Sequence, residues 1–202
     1  MKAILIRHGH TALNDTETYF STRDPELSEL GVKQVSFLVS LLQDMDIAAI
    51  FSSPMQRAVR TAQAIGVQKG LSVQLDDRLK EFDTGILEGR NAEYLKKNDP
   101  DFLRKWRIAP ADLVWPEGES LRMSGQRIAG ILREKTVDFE GQNVVFVSHG
   151  LAIKAGLCVL TGLDPARFRG MAIDPASYSI VEILSGRVNL NFLNVTGGGP
   201  DI

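Results

Sequence analysis

Ala3-Ile4-Leu5-Ile6-Arg7-His8-Gly9 places four apolar residues in a row and follows them with a cation, an imidazole and a glycine. An apolar run without alternation suits a strand covered on both faces, as in parallel sheets. Working outward, similar runs recur at residues 47–51 and 143–147, and the alternating residues 71–75 read as a further strand. Helical periods lie between them. Ser28 opens one, with Val32, Val35, Leu38, Val39 and Leu42 on a single face. Ser53-Pro54-Met55-Gln56 reads as a second helix start, with Ser at N-cap, Pro at N1 and Gln at N3, and that helix is expected to stop near Gly70. Residues 120–135 predict a third helix, and a fourth follows His149 to about Leu160. Residues 178–184 and 188–193 flank Ser185-Gly186, a hairpin signal. The alternation predicts an α/β class fold, a three-layer α/β/α sandwich with a mostly parallel central sheet. Residues 91–119 differ in character: they are charged, punctuated by Pro100, Pro110 and Pro116, and carry both tryptophans. They are expected to form a small helical insertion over the end of the sheet, within one domain spanning residues 1–202.

At 202 residues the chain can bury a core without disulfides or structural metals. Lys and Arg number 23 against 25 Asp and Glu, a near balance that gives no support for a general nucleic-acid binder. Cys158, the sole cysteine, has no intramolecular partner and reads as a packing residue. No apolar run approaches the length of a membrane span. The N-terminus enters a strand at once, without a basic and then apolar leader, so a cytoplasmic protein is expected. The tail Gly197-Gly198-Gly199-Pro200 is expected to be loose.

In an open α/β sheet, ligands bind beyond the carboxyl ends of the strands. Three strands here end in polar groups: Arg7-His8-Gly9, then Ser52-Ser53 leading to Arg57, then Ser148-His149-Gly150. If these strands are neighbours, two histidines and two arginines meet at one edge. Paired guanidiniums suit the oxygens of a phosphoryl group, and Gly9 and Gly150 would let backbone approach it closely. A neutral imidazole is a nucleophile, so attack by His8 on phosphorus would give a covalent phosphohistidine. A protonated second histidine would add charge where the transition state needs it. The missing partner is a proton donor for the leaving alcohol. Glu81, just after the third strand, is the best candidate, and a carboxyl in that role is expected to be partly buried.

Arg7-His8-Gly9-His10-Thr11 with Asn14 resembles the R-H-G-x-T-x-x-N signature of the histidine phosphatase superfamily, in its phosphoglycerate mutase-like branch. Ser53-Pro54-x-x-Arg57-Ala58-x-x-Thr61-Ala62, Leu79-x-Glu81-x-Asp83-x-Gly85-x-x-Glu88-Gly89 and Ser148-His149-Gly150 are similar to three further family motifs. Leu27-Ser28-Glu29-x-Gly31-x-x-Gln34 and Gly118-Glu119-Ser120-Leu121 match softer features. The matches occur in order across residues 4–150. The resemblance implies a phosphoglycerate mutase-like fold and a phosphomonoesterase working through phosphohistidine on a small phosphorylated molecule. His8 would be the nucleophile and Glu81 the acid, then the base for water. Arg7, Asn14, Arg57, His149 and Gly150 would bind phosphate. Neither metal nor organic cofactor is required, no nucleic acid or membrane partner is implied, and a homodimer is left open. The mutases carry E-R-H-Y-G at the acid position, whereas this chain has Glu81-Phe82-Asp83-Thr84-Gly85, which looks like the phosphatase version. Most phosphatase-like relatives carry an aromatic where Thr84 stands, and the loop 21–27 lacks the family's glycine. The alternatives are a mutase and a non-catalytic phospho-ligand module.

Plainer readings compete at several positions. His8 and His10 form an H-x-H pair that on a strand would face one way and could bind zinc, although no compact set of further ligands accompanies it. Lys96, Lys97, Arg104, Lys105 and Arg107 read as a solvated helix face, with attraction of anionic substrates as the functional alternative. Trp106 and Trp115 read as packing residues of the insertion. Tyr19, Phe20 and Arg23 lie in a long loop within reach of a substrate.

Overall fold

A computed structural model describes residues 1–184 and 186–197. The central sheet contains β1 (Lys2–Arg7), β2 (Ala49–Ser52), β3 (Val73–Leu75), β4 (Asn143–Ser148), β5 (Tyr178–Leu184) and β6 (Arg187–Val195), in the order β3-β2-β4-β1-β5-β6. The first four strands are mutually parallel, and β5 and β6 run antiparallel at one edge. The hairpin expected at Ser185-Gly186 joins these last two, with Gly186 at φ 82°. Ser185 itself and residues 198–200 of the tail lie outside the described residues.

The unbroken apolar runs are explained by the two faces they serve. Along β1, Ala3 and Leu5 pack on one side with α5 (Leu121–Asp138) and α6 (Gly150–Thr161). Ile4 and Ile6 pack on the other with α1 (Glu29–Leu41) and α2 (Gln56–Lys69). Each face therefore takes alternate residues of one continuous run. Ser28 caps α1 by accepting from Gly31 N, and Ser120 caps α5 by accepting from Met123 N.

Residues 91–119 supply α3 (Ala92–Asn98) and α4 (Pro100–Ile108). Their apolar side chains make a third core in which Phe82, Phe102, Trp106, Trp115 and Phe168 pack. Both tryptophans are buried there, as packing residues. The five basic residues of the insertion are all exposed.

The start of α2 departs from expectation. The helix begins at Gln56 and Met55 occupies the N-cap, so Ser53 lies two residues ahead of it and its Oγ accepts from Met55 N, at 3.3 Å. Asp24 Oδ2 accepts from Gln56 N at 2.7 Å, the first N–H of the helix proper, and the Ser53 O–H is left to meet another partner.

Candidate active site

β2, β4 and β1 are neighbours, and their register fixes the level at which they end. Arg7 lies opposite Ser148, and Ser52 lies opposite Val147. The next residues, His8, Ser53 and His149, therefore leave the sheet side by side. The rings of His8 and His149 meet edge to face, with centroids 5.0 Å apart, and both are essentially inaccessible to solvent.

His8 Nδ1 lies 2.7 Å from Gly9 O. A carbonyl oxygen only accepts, so Nδ1 carries the proton and Nε2 carries the lone pair. Arg57 Nε donates to that Nε2 at 3.2 Å. Burial holds His8 well below the ordinary imidazole value, and the charges of Arg57 and Arg7 push the same way. His149 is likewise lowered by burial, then by His8 and Arg57. Its Nε2 pairs with Ser53 Oγ at 2.8 Å, which is where the expected cap residue is spent. Both rings are thus neutral at neutral pH, and the Nε2 of His8 is an available nucleophile.

Arg57, with no solvent exposure, distributes its remaining N–H groups over one loop. They reach Arg23 O at 2.8 Å, Asp24 Oδ1 at 3.3 Å and Ser21 O at 3.5 Å. Arg7 donates to Ile173 O at 2.7 Å through one terminal nitrogen. Arg7 Nε and His149 Nδ1 are buried without a hydrogen-bond partner. Buried polar atoms are seldom left so, and the Arg7 Nε–H is a donor that an anion would satisfy.

Glu81 is half-buried and its charge acts on both Arg7 and Arg57. Its Oε1 accepts from Phe82 N at 2.8 Å and from Ala152 N, near the start of α6, at 3.0 Å. Arg127 of α5 clamps the segment that carries it, donating to the carbonyls of Arg78, Lys80 and Glu81 and to Glu119. A cleft of about 410 Å³ opens beside Glu81, with Thr22, Met55, Lys80 and Arg127 in its walls.

The structure thus brings together His8, His149, Arg7, Arg57 and Glu81. It places three other expected residues differently. Asn14 Oδ1 accepts from Thr11 N and Thr11 Oγ1, closing a 3₁₀ turn, so only its amide N–H groups are left for an anion. A Cβ on Gly9 would meet Gly31 O and Val35, so its smallness admits α1 rather than a ligand. At Gly150 a Cβ would press on the Arg7 guanidinium, so this glycine makes room for an arginine. His10 lies beyond the strand, bonded to Ser28 Oγ and Asp15, and among the described residues no cluster of His, Cys, Asp or Glu has the form of a metal site. Thr84 is buried and bonded to Ser21 and Glu88. Sequence reasoning missed Ser53 as a partner of His149, and it missed Asp24, Arg127 and the half-buried Lys154, whose amine burial lowers. A signal existed for Arg127, since Ser124 and Arg127 put polar groups beside the buried face of α5.

The model of the histidine phosphatase superfamily (branch 1) matches residues 3–196. Phosphoserine phosphatase 1 of Hydrogenobacter thermophilus is 35% identical over 196 residues, covering 97% of this chain and 93% of the relative. A probable phosphoglycerate mutase GpmB of Yersinia pestis is 29% identical over 182 residues, covering 90% and 85%. The structure of a mycobacterial glucosyl-3-phosphoglycerate phosphatase in complex with VO3 superposes with a TM-score of 0.83 at 29% identity, covering 96% of this chain and 99% of that one. A six-stranded, mostly parallel sheet, a pair of buried imidazoles at its carboxyl edge and these likenesses agree, and the chain belongs to the histidine phosphatase superfamily.

Proposed function

We propose that this chain is a phosphatase that hydrolyses small phosphomonoesters through a phosphohistidine at His8. The observation that carries the reading is the fixed tautomer of His8. Its proton is committed to Gly9 O, its Nε2 lone pair is buried beside Arg57, and the His149 ring and the Arg7 charge lie close by.

In the first step Nε2 attacks phosphorus, the P–N bond forms and the P–O ester bond breaks. Glu81, as the carboxylic acid, passes its proton to the departing oxygen, and the alcohol leaves through the adjoining cleft. Arg7, Arg57 and His149 hold the three phosphoryl oxygens as charge develops on them. In the second step water attacks phosphorus, the Glu81 carboxylate takes its proton, the P–N bond breaks and His8 is neutral again. Gly150 serves by admitting Arg7, and Asn14 can contribute an amide N–H. The whole chain acts as one catalytic unit, because His8 and His149 come from distant segments.

The test is phosphate release from p-nitrophenyl phosphate, with and without chelator. It is followed by a panel containing phosphoserine, 3-phosphoglycerate, glucosyl-3-phosphoglycerate and sugar phosphates. Release that chelator leaves unchanged is expected, together with an acid-labile phosphoenzyme after rapid quench. Isomerisation of phosphoglycerate outrunning phosphate release would replace this reading with the mutase one.

A further inference from the structure

Arg57 is the only side chain that donates a hydrogen bond to the lone-pair nitrogen of His8 among the described residues, so whatever fixes Arg57 sets the nucleophile. Three of its contacts fall on residues 21–24, a loop without helix or strand. An irregular loop does not hold its carbonyls in place unaided, and its own N–H groups need partners.

Those partners converge on one carboxylate. Glu88 Oε2 accepts from Ser21 N at 2.8 Å, Ser21 Oγ at 2.7 Å, Thr22 N at 3.1 Å and Thr84 Oγ1 at 3.3 Å. Its Oε1 accepts from Arg23 N at 2.9 Å. Three successive backbone N–H groups therefore point at Glu88, while carbonyls of the same stretch point at Arg57. The peptide planes are gripped from both sides. Burial opposes the charge on Glu88, yet the bonds from Arg23, Ser21 and Thr22 hold its carboxyl at about 2. The arrangement needs an acceptor at both oxygens, which an ionised carboxylate supplies and an amide does not.

We propose that Glu88 is a positioning residue for the reaction. Its carboxylate fixes the loop 21–23, the loop's carbonyls fix the Arg57 guanidinium, and Arg57 orients and polarises Nε2 of His8 and the incoming phosphoryl group. Glu88 does not itself touch the reacting atoms. The inference rests on the phosphatase reading for its kinetic arm alone.

The experiment compares Glu88→Gln, Arg57→Ala and the double variant with p-nitrophenyl phosphate as substrate, and follows the His8 imidazole by NMR titration in wild type and Glu88→Gln. Misplacing an active-site cation costs on the order of 10²-fold in kcat/KM, so a loss of that order is expected for Glu88→Gln. The same change added to Arg57→Ala should cost less than about twofold more, because the two share one route. Loosening Arg57 also weakens the cation that disfavours protonation of His8, so the imidazole should titrate at higher pH in Glu88→Gln. Arg7, His10 and His149, the other charged or titratable groups beside His8, are untouched by the change. Additive losses, or an unmoved His8 titration, would overturn the proposal, since a merely structural role predicts both. If Glu88→Gln does not fold, Glu88→Ala is read the same way, because water can satisfy the freed N–H groups without orienting the loop. A wild-type chain without phosphatase activity would sink the proposed function, while the titration would still decide the role of Glu88.

Discussion

In the proposed reaction one nitrogen atom concentrates the chemistry. Nε2 of His8 is kept unprotonated by the carbonyl at the opposite side of its ring and by two cations, and it is kept in place by Arg57. His8→Ala removes the attacking atom, so turnover and the acid-labile phosphoenzyme should both vanish; a phosphoenzyme surviving this substitution would place the nucleophile elsewhere. Arg57→Ala removes both the orienting bond and a phosphate cation, and roughly 10²–10³ in kcat is expected to go, comparable to deleting one oxyanion donor. Glu81→Gln keeps the acceptor oxygen for Phe82 N and Ala152 N but cannot give up a proton. Alkyl phosphates should therefore slow far more than p-nitrophenyl phosphate, whose leaving group needs little protonation. Comparing the two substrates in one variant checks this, and equal slowing would remove Glu81 from the acid role. At this scale the meeting of Arg7, His8, Arg57 and His149 was legible, because Arg7 ends a strand, His8 and His149 follow one and Arg57 lies in the first turn of a helix at the same edge, whereas Glu81 reaches them only after a 3₁₀ turn beyond β3. Asn14 gives its Oδ1 to Thr11, and the lack of a side chain at Gly9 and Gly150 makes room for α1 and for Arg7, contacts that the motif spacing alone does not encode.

Elements carry the next layer. The loop after β1 and the first turn of α1 touch so closely that a Cβ on Gly31 would run into the backbone of His10. Gly31→Ala should push α1 away from the strand that presents His8. Overpacking of this kind costs about 1–3 kcal/mol, readable as a lower urea midpoint with an unchanged m-value. The strands and the helices behind them were legible because burial on two faces leaves an unbroken apolar run, and burial on one leaves a 3.6 period. The start of α2 was not. Local chemistry favours Ser53 as a cap, but His149 lies 2.8 Å from its hydroxyl and Asp24 of a distant loop reaches Gln56 N instead. Arg127 escaped for a related reason, and Glu88 stood in a motif without a role. Both reach main-chain groups of other segments, Arg127 the carbonyls of Arg78, Lys80 and Glu81 and Glu88 the N–H groups of residues 21–23, and no spacing rule encodes such contacts.

The whole molecule is built to bury two neutral imidazoles beside two guanidiniums, and that has a consequence for stability. Unfolded, each histidine titrates near 6.5. Folded, both titrate well below that, lowered first by burial and then by neighbouring cations. Between the two values the unfolded chain binds more protons, so the stability from these groups is complete above about pH 6.5 and is lost as the pH falls. Two such groups give a slope of at most about 2.7 kcal/mol per pH unit, which a domain of ordinary stability cannot sustain for long. The Glu88 carboxyl, held at about 2, loses its contribution only below the ordinary carboxylate range, so the windows separate. Urea unfolding at pH 7.5, 6.0 and 5.0 should show the midpoint steady above 6.5 and falling steeply below it. His149→Gln should make that fall about half as steep, since one of the two buried bases is gone. A midpoint flat from pH 7.5 to 5.0 would mean that the imidazoles take up protons in the folded protein as readily as in the unfolded chain.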